Sequence, residues 1–133
     1  MRFFLEFDAK NNVLHGILKG RVTDAILLDS YAEAARYAKS LPPCRGIWDF
    51  SEVTEFEVST DAIKHMVGLS PIIPTGYMRV VVASRDVHFG MMRMLQMLSE
   101  KSRPELHVVR TMDEAYRLLR VESPEFIPVS FPT

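Results

Sequence analysis

Asp49, Ser51, Ser59 and Thr60 are the residues whose types and spacing best suit chemistry. They share one stretch, Arg45-Gly46-Ile47-Trp48-Asp49-Phe50-Ser51-Glu52-Val53-Thr54-Glu55-Phe56-Glu57-Val58-Ser59-Thr60. Ile47, Trp48 and Phe50 form a short apolar run between Gly46 and polar residues, which predicts a strand buried on both faces. Asp49 stands at its C-terminal end, and in open α/β sheets ligands bind outside the carboxyl ends of the strands. Residues 51–60 then read as an acidic loop. Ser59 or Thr60 precedes Asp61-Ala62-Ile63, where a hydroxyl can cap a helix. A helix start also attracts anions, because its first N–H groups are unpaired and its dipole end is positive. Two uses stay open: phosphorylation or anion binding at Ser59 and Thr60, or plain capping with Asp49 holding loop amides.

No other catalytic constellation stands out. There is no Gly-rich phosphate loop, no Gly-x-Ser-x-Gly elbow and no His-Glu-x-x-His pair. His65, His88 and His107 fall on different expected elements, and His65 and His88 read as solvated helix residues. His15, inside a strand, reads as a hydrogen-bonded structural histidine. With one cysteine, a structural zinc site is not expected; Cys44 reads as a small buried thiol. Met91, Met92, Met94 and Met97 cover more than one side of a helix, and methionine packs adaptably. Some of them fill the core and the rest are left for a groove or a subunit contact. Arg79, Arg85 and Arg93 either gather near Asp49 to hold an anion or pair with Glu52, Glu55 and Glu57.

The totals narrow the class. The chain has 133 residues, which suits one domain, and its 47% apolar and 25% charged composition is ordinary for a globular protein. Sixteen basic against seventeen acidic residues argues against a nucleic-acid partner, which a basic excess would serve. A lone cysteine fits a reducing interior. No apolar run is long enough to span a bilayer, and the alternating start at residues 3–8 reads as a strand. A cytoplasmic protein is expected.

The elements that position these residues follow from periodicity. Residues 2–8 and 13–19 alternate as a hairpin around Ala9-Lys10-Asn11-Asn12. Thr23 or Asp24 caps a first helix running to about residue 40, with Leu27, Tyr31, Ala34, Ala35, Ala38 and Leu41 at helical spacing. A second helix covers residues 60–67, with Gly68 as a left-handed closure. Residues 78–84 read as a central parallel strand. Asp86 caps a third helix over residues 87–101, in which Gly90 marks a close backbone approach. A strand at residues 106–109 precedes a capping box, Thr111-Met112-Asp113-Glu114. The tail, residues 121–133, sets Phe126, Ile127, Val129 and Phe131 among Pro124, Pro128 and Pro132, an extended path whose apolar residues need burial on this domain or on a second copy.

The resulting order is ββαβαβαβα. It implies a mainly parallel α/β sheet with right-handed crossovers and an antiparallel N-terminal edge strand.

With that order in place, the chain resembles the SpoIIAA-like, or STAS, family of anti-sigma factor antagonist domains, and more closely its bacterial SpoIIAA-like branch. The likeness rests on Val13-Leu14-His15-Gly16-Ile17-Leu18-Lys19-Gly20, on Trp48-Asp49-Phe50-Ser51-Glu52-Val53, on Arg79-Val80-Val81-Val82-Ala83 leading into Phe89-Gly90-Met91-Met92-Arg93-Met94, and on Met112-Asp113-Glu114-Ala115-Tyr116. It spans residues 13 to about 120. In that family a Ser at the second helix start, in an Asp-Ser-Ser-Gly pattern, is phosphorylated. Val58-Ser59-Thr60-Asp61 stands there in this chain, with Thr60 at the phosphorylated position.

The resemblance implies a non-enzymatic interaction or regulatory module acting on an unidentified protein partner, without cofactor. Its surface would combine the loop 51–60 with the third helix: Asp49, Ser51, Phe56, Phe89, Met91, Arg93 and Met94. The alternative is a small-molecule protein with a Met-lined pocket for an apolar or lipid-like ligand. The tail and the surplus methionines suggest a homodimer.

Overall fold

A tight hairpin starts the sheet. Phe3–Asp8 (β1) and Val13–Thr23 (β2) pair antiparallel, from Phe3 opposite Leu18 to Asp8 opposite Val13. Asn12 turns the chain at φ 57°, a left-handed conformation that Asn tolerates. The Asp8 carboxylate fastens the turn, accepting from the Asn11 backbone N–H at 3.0 Å and from its side-chain amide at 2.6 Å. The structure, a computed structural model, describes residues 3–129.

After the hairpin, helices and strands alternate. Asp24–Ala38 is α1, Arg45–Glu57 is β3 and Thr60–Val67 is α2. Arg79–Val82 is β4, Asp86–Leu98 is α3 and Leu106–Val109 is β5, followed by Met112–Leu119 (α4) and the short Ile127–Pro128 (β6). The result is an α/β domain with a mixed six-stranded sheet in the order β5-β4-β3-β2-β1-β6. β2, β3, β4 and β5 pair in parallel, while β1 is antiparallel to both neighbours. β1 is therefore not the edge. Ile127 and Pro128 lie outside it, and the Val129 N–H donates to the Leu5 carbonyl at 2.9 Å. The described part of the tail is docked on its own chain through β6, with Val121 buried, Phe126 and Val129 half-buried and Ile127 exposed. Phe131 and Pro132 lie outside the described residues.

Because β2 to β5 are laid down in one direction without reversal, right-handed crossovers put α1, α2 and α3 on the same face. That face carries Leu18, Val22, Phe50, Val53 and Val81 from the strands, packed with Leu27, Ile63, Met66, Met92 and Leu95 from the helices. The opposite face carries Val13, Ile47, Val80, Val82 and Val109, covered by Ala115 and Leu119 of α4 and by Val121. Two glycines let the helix-side layer close: a Cβ on Gly16 would meet the Trp48 ring at 2.7 Å, and one on Gly46 would meet Ile73 at 2.8 Å.

Four local expectations are corrected. β3 does not stop at Phe50; it runs to Glu57, so most of the expected loop at residues 51–60 is strand. It pairs there with the 11-residue β2, through Lys19–Glu52 at 3.6 Å and through Arg21, whose Nε lies 2.9 Å from the Glu57 carboxylate. Gly68 closes α2 in the right-handed region at φ −79°, and the left-handed closure belongs to Arg120 after α4, at φ 55°. Asp86 is the first residue of α3 and not its cap; Arg85 holds the cap position without a side-chain capping bond, its guanidinium donating to the Thr54 carbonyl instead, and Asp86 accepts from Arg110 at 2.8 Å. Gly90 meets nothing within 4 Å of a built Cβ.

Since Gly90 is exposed, helical and open, Gly90→Ala should raise the unfolding free energy by about 0.5–1 kcal/mol by lowering the entropy of the unfolded chain. A urea denaturation midpoint measures this, and a lower midpoint would mean that the position needs glycine.

Candidate functional site

The residues expected at the acidic loop do not gather there. Ser59 caps α2, accepting from the Ala62 N–H at 3.1 Å. Its own N–H and hydroxyl both donate to the Asp24 carboxylate at 2.7 Å. Those two bonds, the backbone one first, hold Asp24 below the ordinary carboxylate range. A carboxylate thus already occupies the place where a phosphate would sit, and a phosphate on Ser59 would face it. Thr60 is exposed as the first residue of α2.

Phe56 is half-buried against Phe50 and His88, and Phe89 lies under the Arg110 guanidinium at 4.2 Å. Met91 and Met94 are half-buried at the margin of the helix-side core, and Arg93 is exposed, donating to Gln96 at 2.6 Å. Arg79, Arg85 and Arg93 neither converge on Asp49 nor pair with the three glutamates, which face Lys19 and Arg21 instead. His88 is buried, not solvated: it lies 5.1 Å from the Phe56 ring, and burial, then Arg85, pushes its pKa down.

Asp49 belongs to a different constellation. Glu6 lies opposite His15 across β1 and β2, and strand alternation puts Asp49, two residues beyond the Ile47 that faces His15, on the same side of the sheet. His15 Nδ1 lies 2.7 Å from Glu6 and Nε2 lies 3.0 Å from Asp49. Asp49 also accepts from the Ser51 N–H at 2.9 Å and its hydroxyl at 2.6 Å. Burial, the largest influence on Asp49, raises its pKa, but the bonds from His15 and Ser51 together outweigh it and hold the carboxyl low. Phe126 of the tail covers the imidazole at 5.1 Å between centroids. Burial, followed by the nearby Glu6 and Asp49 charges, raises the Tyr116 hydroxyl. Each ionised carboxylate only accepts, so both imidazole contacts are hydrogen bonds when both ring nitrogens carry hydrogen. Ser51 bonds Asp49 and not the imidazole, so the row lacks a nucleophile–base contact and ties three strands together instead.

On the helix side of the sheet lies a cavity of about 70 Å³, walled by α1, α2 and α3 and lined almost wholly by apolar surface. Gly16, Leu27, Ala34, Trp48, Met66, Met92 and Leu95 line it. Of the methionines singled out in α3, only Met92 faces it; Met66 of α2 is the other. Two buried arginines reach it, Arg79 at 2% and Arg103 at 6% exposure. Arg103 is satisfied. It donates to the Met66 and Leu69 carbonyls at 3.1 Å and to the Tyr31 hydroxyl at 3.2 Å, closing the C-terminus of α2 where a cation also suits the helix dipole.

Arg79 is not satisfied. Its Nη2 donates to the Ile73 carbonyl, while Nε and Nη1 are buried without a hydrogen-bond partner. Asp49, the one acidic residue on the wall, turns its carboxylate to the opposite face of the sheet, where His15 and Ser51 hold it. Arg79 opens β4, so the cavity's charged end lies at the amino end of the parallel strands, opposite the edge that topology suggested. Sequence reasoning named Arg79 as an anion-holding candidate but not its burial, and missed Arg103 altogether, because arginine is almost always exposed unless paired.

Cys44 is buried as expected, and burial raises its thiol pKa. Among the described residues no group of His, Cys, Asp and Glu could hold a metal ion, and no helix is long and apolar enough to cross a membrane. No protein-family model matches the chain, and no curated protein matches it.

His15→Ala should destabilise the fold by about 3–5 kcal/mol, because it leaves Asp49 as a buried charge that has lost its partner. Denaturant unfolding measures it, and a change near zero would mean that the row contributes nothing to stability. The folded pKa values of Asp49 and Asp8 both lie below the ordinary 3.8. Their contribution to stability is therefore complete above that value and is lost as pH falls through the folded values. Unfolding midpoints between pH 7 and pH 2 should drop steeply only below about pH 4.

Proposed function

We propose that this chain is a SpoIIAA-like, STAS-type domain whose function is to bind a small apolar molecule between its sheet and the helices α1 to α3, without transforming it. The carrying observation is the apolar cavity beside Trp48 with an unsatisfied arginine on its wall. Apolar walls with a few placed polar groups are the usual make-up of a ligand site. The expected acidic-loop surface gives no comparable support, since β3 continues through it and Asp24 fills the anion position.

A second reading, a protein-interaction module working through α3, has one observation in its favour. Val87, Met91, Met94 and Leu98 fall at helical spacing on one stripe, with Val87 and Leu98 exposed. An interaction surface there is compatible with a ligand cavity behind the same helix.

Trp48 is the single tryptophan and lines the cavity, so its emission reports occupancy. A panel of short alcohols, acids and amines should contain at least one class that shifts this emission saturably. Ala34→Leu, which fills the cavity from α1, should abolish the response while the melting temperature stays within a few degrees. A panel without a saturable response, or an unchanged response in the filled variant, contradicts the reading.

A further inference from the structure

The unspent hydrogen-bonding capacity of the cavity is cationic, and it identifies the ligand's polar end. We propose that the cavity takes a short apolar monocarboxylate, with its carboxylate paired to Arg79 and its chain lying against Trp48, Leu27 and Met92. This rests on the ligand-binding reading above and adds the chemical class to it.

A guanidinium carries five N–H donors in a planar fork and cannot shed its charge in a protein. Arg79 spends one donor on the Ile73 carbonyl, leaving Nε and Nη1 buried and unpartnered. An unpaired buried charge is strongly unfavourable, and a carboxylate relieves it best because it accepts two parallel N–H bonds from the guanidinium fork. No residue of the cavity wall supplies one. Asp49 is held by His15 and Ser51, and Arg103, the second cation, is spent on α2 carbonyls and Tyr31.

A phosphate dianion would need further donors, and the remaining hydroxyls of the wall, Ser30 and Tyr31, already donate to the Ile26 and Ser70 carbonyls. Glu105 is the one acidic side chain near by: its backbone carbonyl accepts from the Arg79 N–H at 3.0 Å, and its Oε2 is buried and unpartnered. It lies outside salt-bridge reach of Arg79 and is the internal competitor to be tested. Size sets the chain length. At about 10–15 Å³ of such volume per water-sized group, the cavity holds roughly five to seven non-hydrogen atoms, which suits pentanoate better than a long fatty acid.

The experiment titrates the full chain at pH 7 with sodium pentanoate, 1-pentanol and sodium decanoate, followed by calorimetry and Trp48 emission. The same titrations are run on Arg79→Met and Glu105→Gln. Pentanoate should bind about tenfold or more tightly than 1-pentanol, the advantage of a hydrogen-bonded charge over a neutral group. Decanoate should bind more weakly than pentanoate. Arg79→Met should remove the preference for the acid and leave 1-pentanol within about threefold of its original affinity. Where Arg79→Met does not fold, the acid-to-alcohol ratio on the unaltered chain decides.

Equal binding of acid and alcohol overturns the carboxylate assignment and leaves the ligand-binding reading intact. A preference that emerges only in Glu105→Gln also overturns it, since Glu105 is then the native counter-ion. Tighter binding of decanoate overturns the size assignment. No binding of any probe removes the ligand-binding reading itself.

Discussion

A guanidinium keeps its charge at any pH a protein meets, so carrying one out of water sets a condition that its surroundings must satisfy. In this chain the condition is posed at Arg79, the first residue of β4. Its side chain is forced inward by strand alternation: Val81 shares its face, and Val80 and Val82 take the other. One carbonyl, from Ile73, meets part of the demand. The neighbouring Arg103 shows what full satisfaction looks like in the same layer, because the end of α2 offers it several carbonyls. The difference between these two arginines is what gives the cavity a polar address.

The two faces of the sheet have divided the polar tasks. On the α4 face, a row of Glu6, His15, Asp49 and Ser51 closes on itself and is covered by Phe126. Such a row fixes register, because a one-residue slip of any strand would turn its member to the other face. On the helix face the polar group is left open. Gly16 connects the two: it lies next to His15 in β2, and its missing side chain makes room for the Trp48 ring that lines the cavity. A closed network holds the strands while an open one waits for a partner, and the alternation of side chains along β2 and β3 keeps them apart.

Much of the scaffold was legible in the sequence. The valine run of β4, the Thr111–Glu114 cap, the turn at Asn12 and the helix over residues 60–67 all follow from local pattern. The extent of β3 was not, because Glu52, Glu55 and Glu57 look like a loop until Lys19 and Arg21 are recognised as their cross-strand partners. His15 was readable as a bonded histidine, but its partners Glu6 and Asp49 lie on separate strands and only the register unites them. The site itself was least legible. Burial of Arg79, Arg103 and His88 runs against what composition suggests for those residue types, and a cavity is a property of several elements at once. The methionines were over-read: spacing alone does not say which side of α3 meets the core.

The most direct measurement is nuclear Overhauser contact between pentanoate and methyl-labelled methionines. Contacts to Met66 and Met92, with a shift of the Arg79 Nε–H signal, are the expected result, since these groups share the cavity wall. Contacts confined to Met91, Met94 or Met97, with Arg79 unmoved, would place the ligand on the outside of α3 and contradict the account.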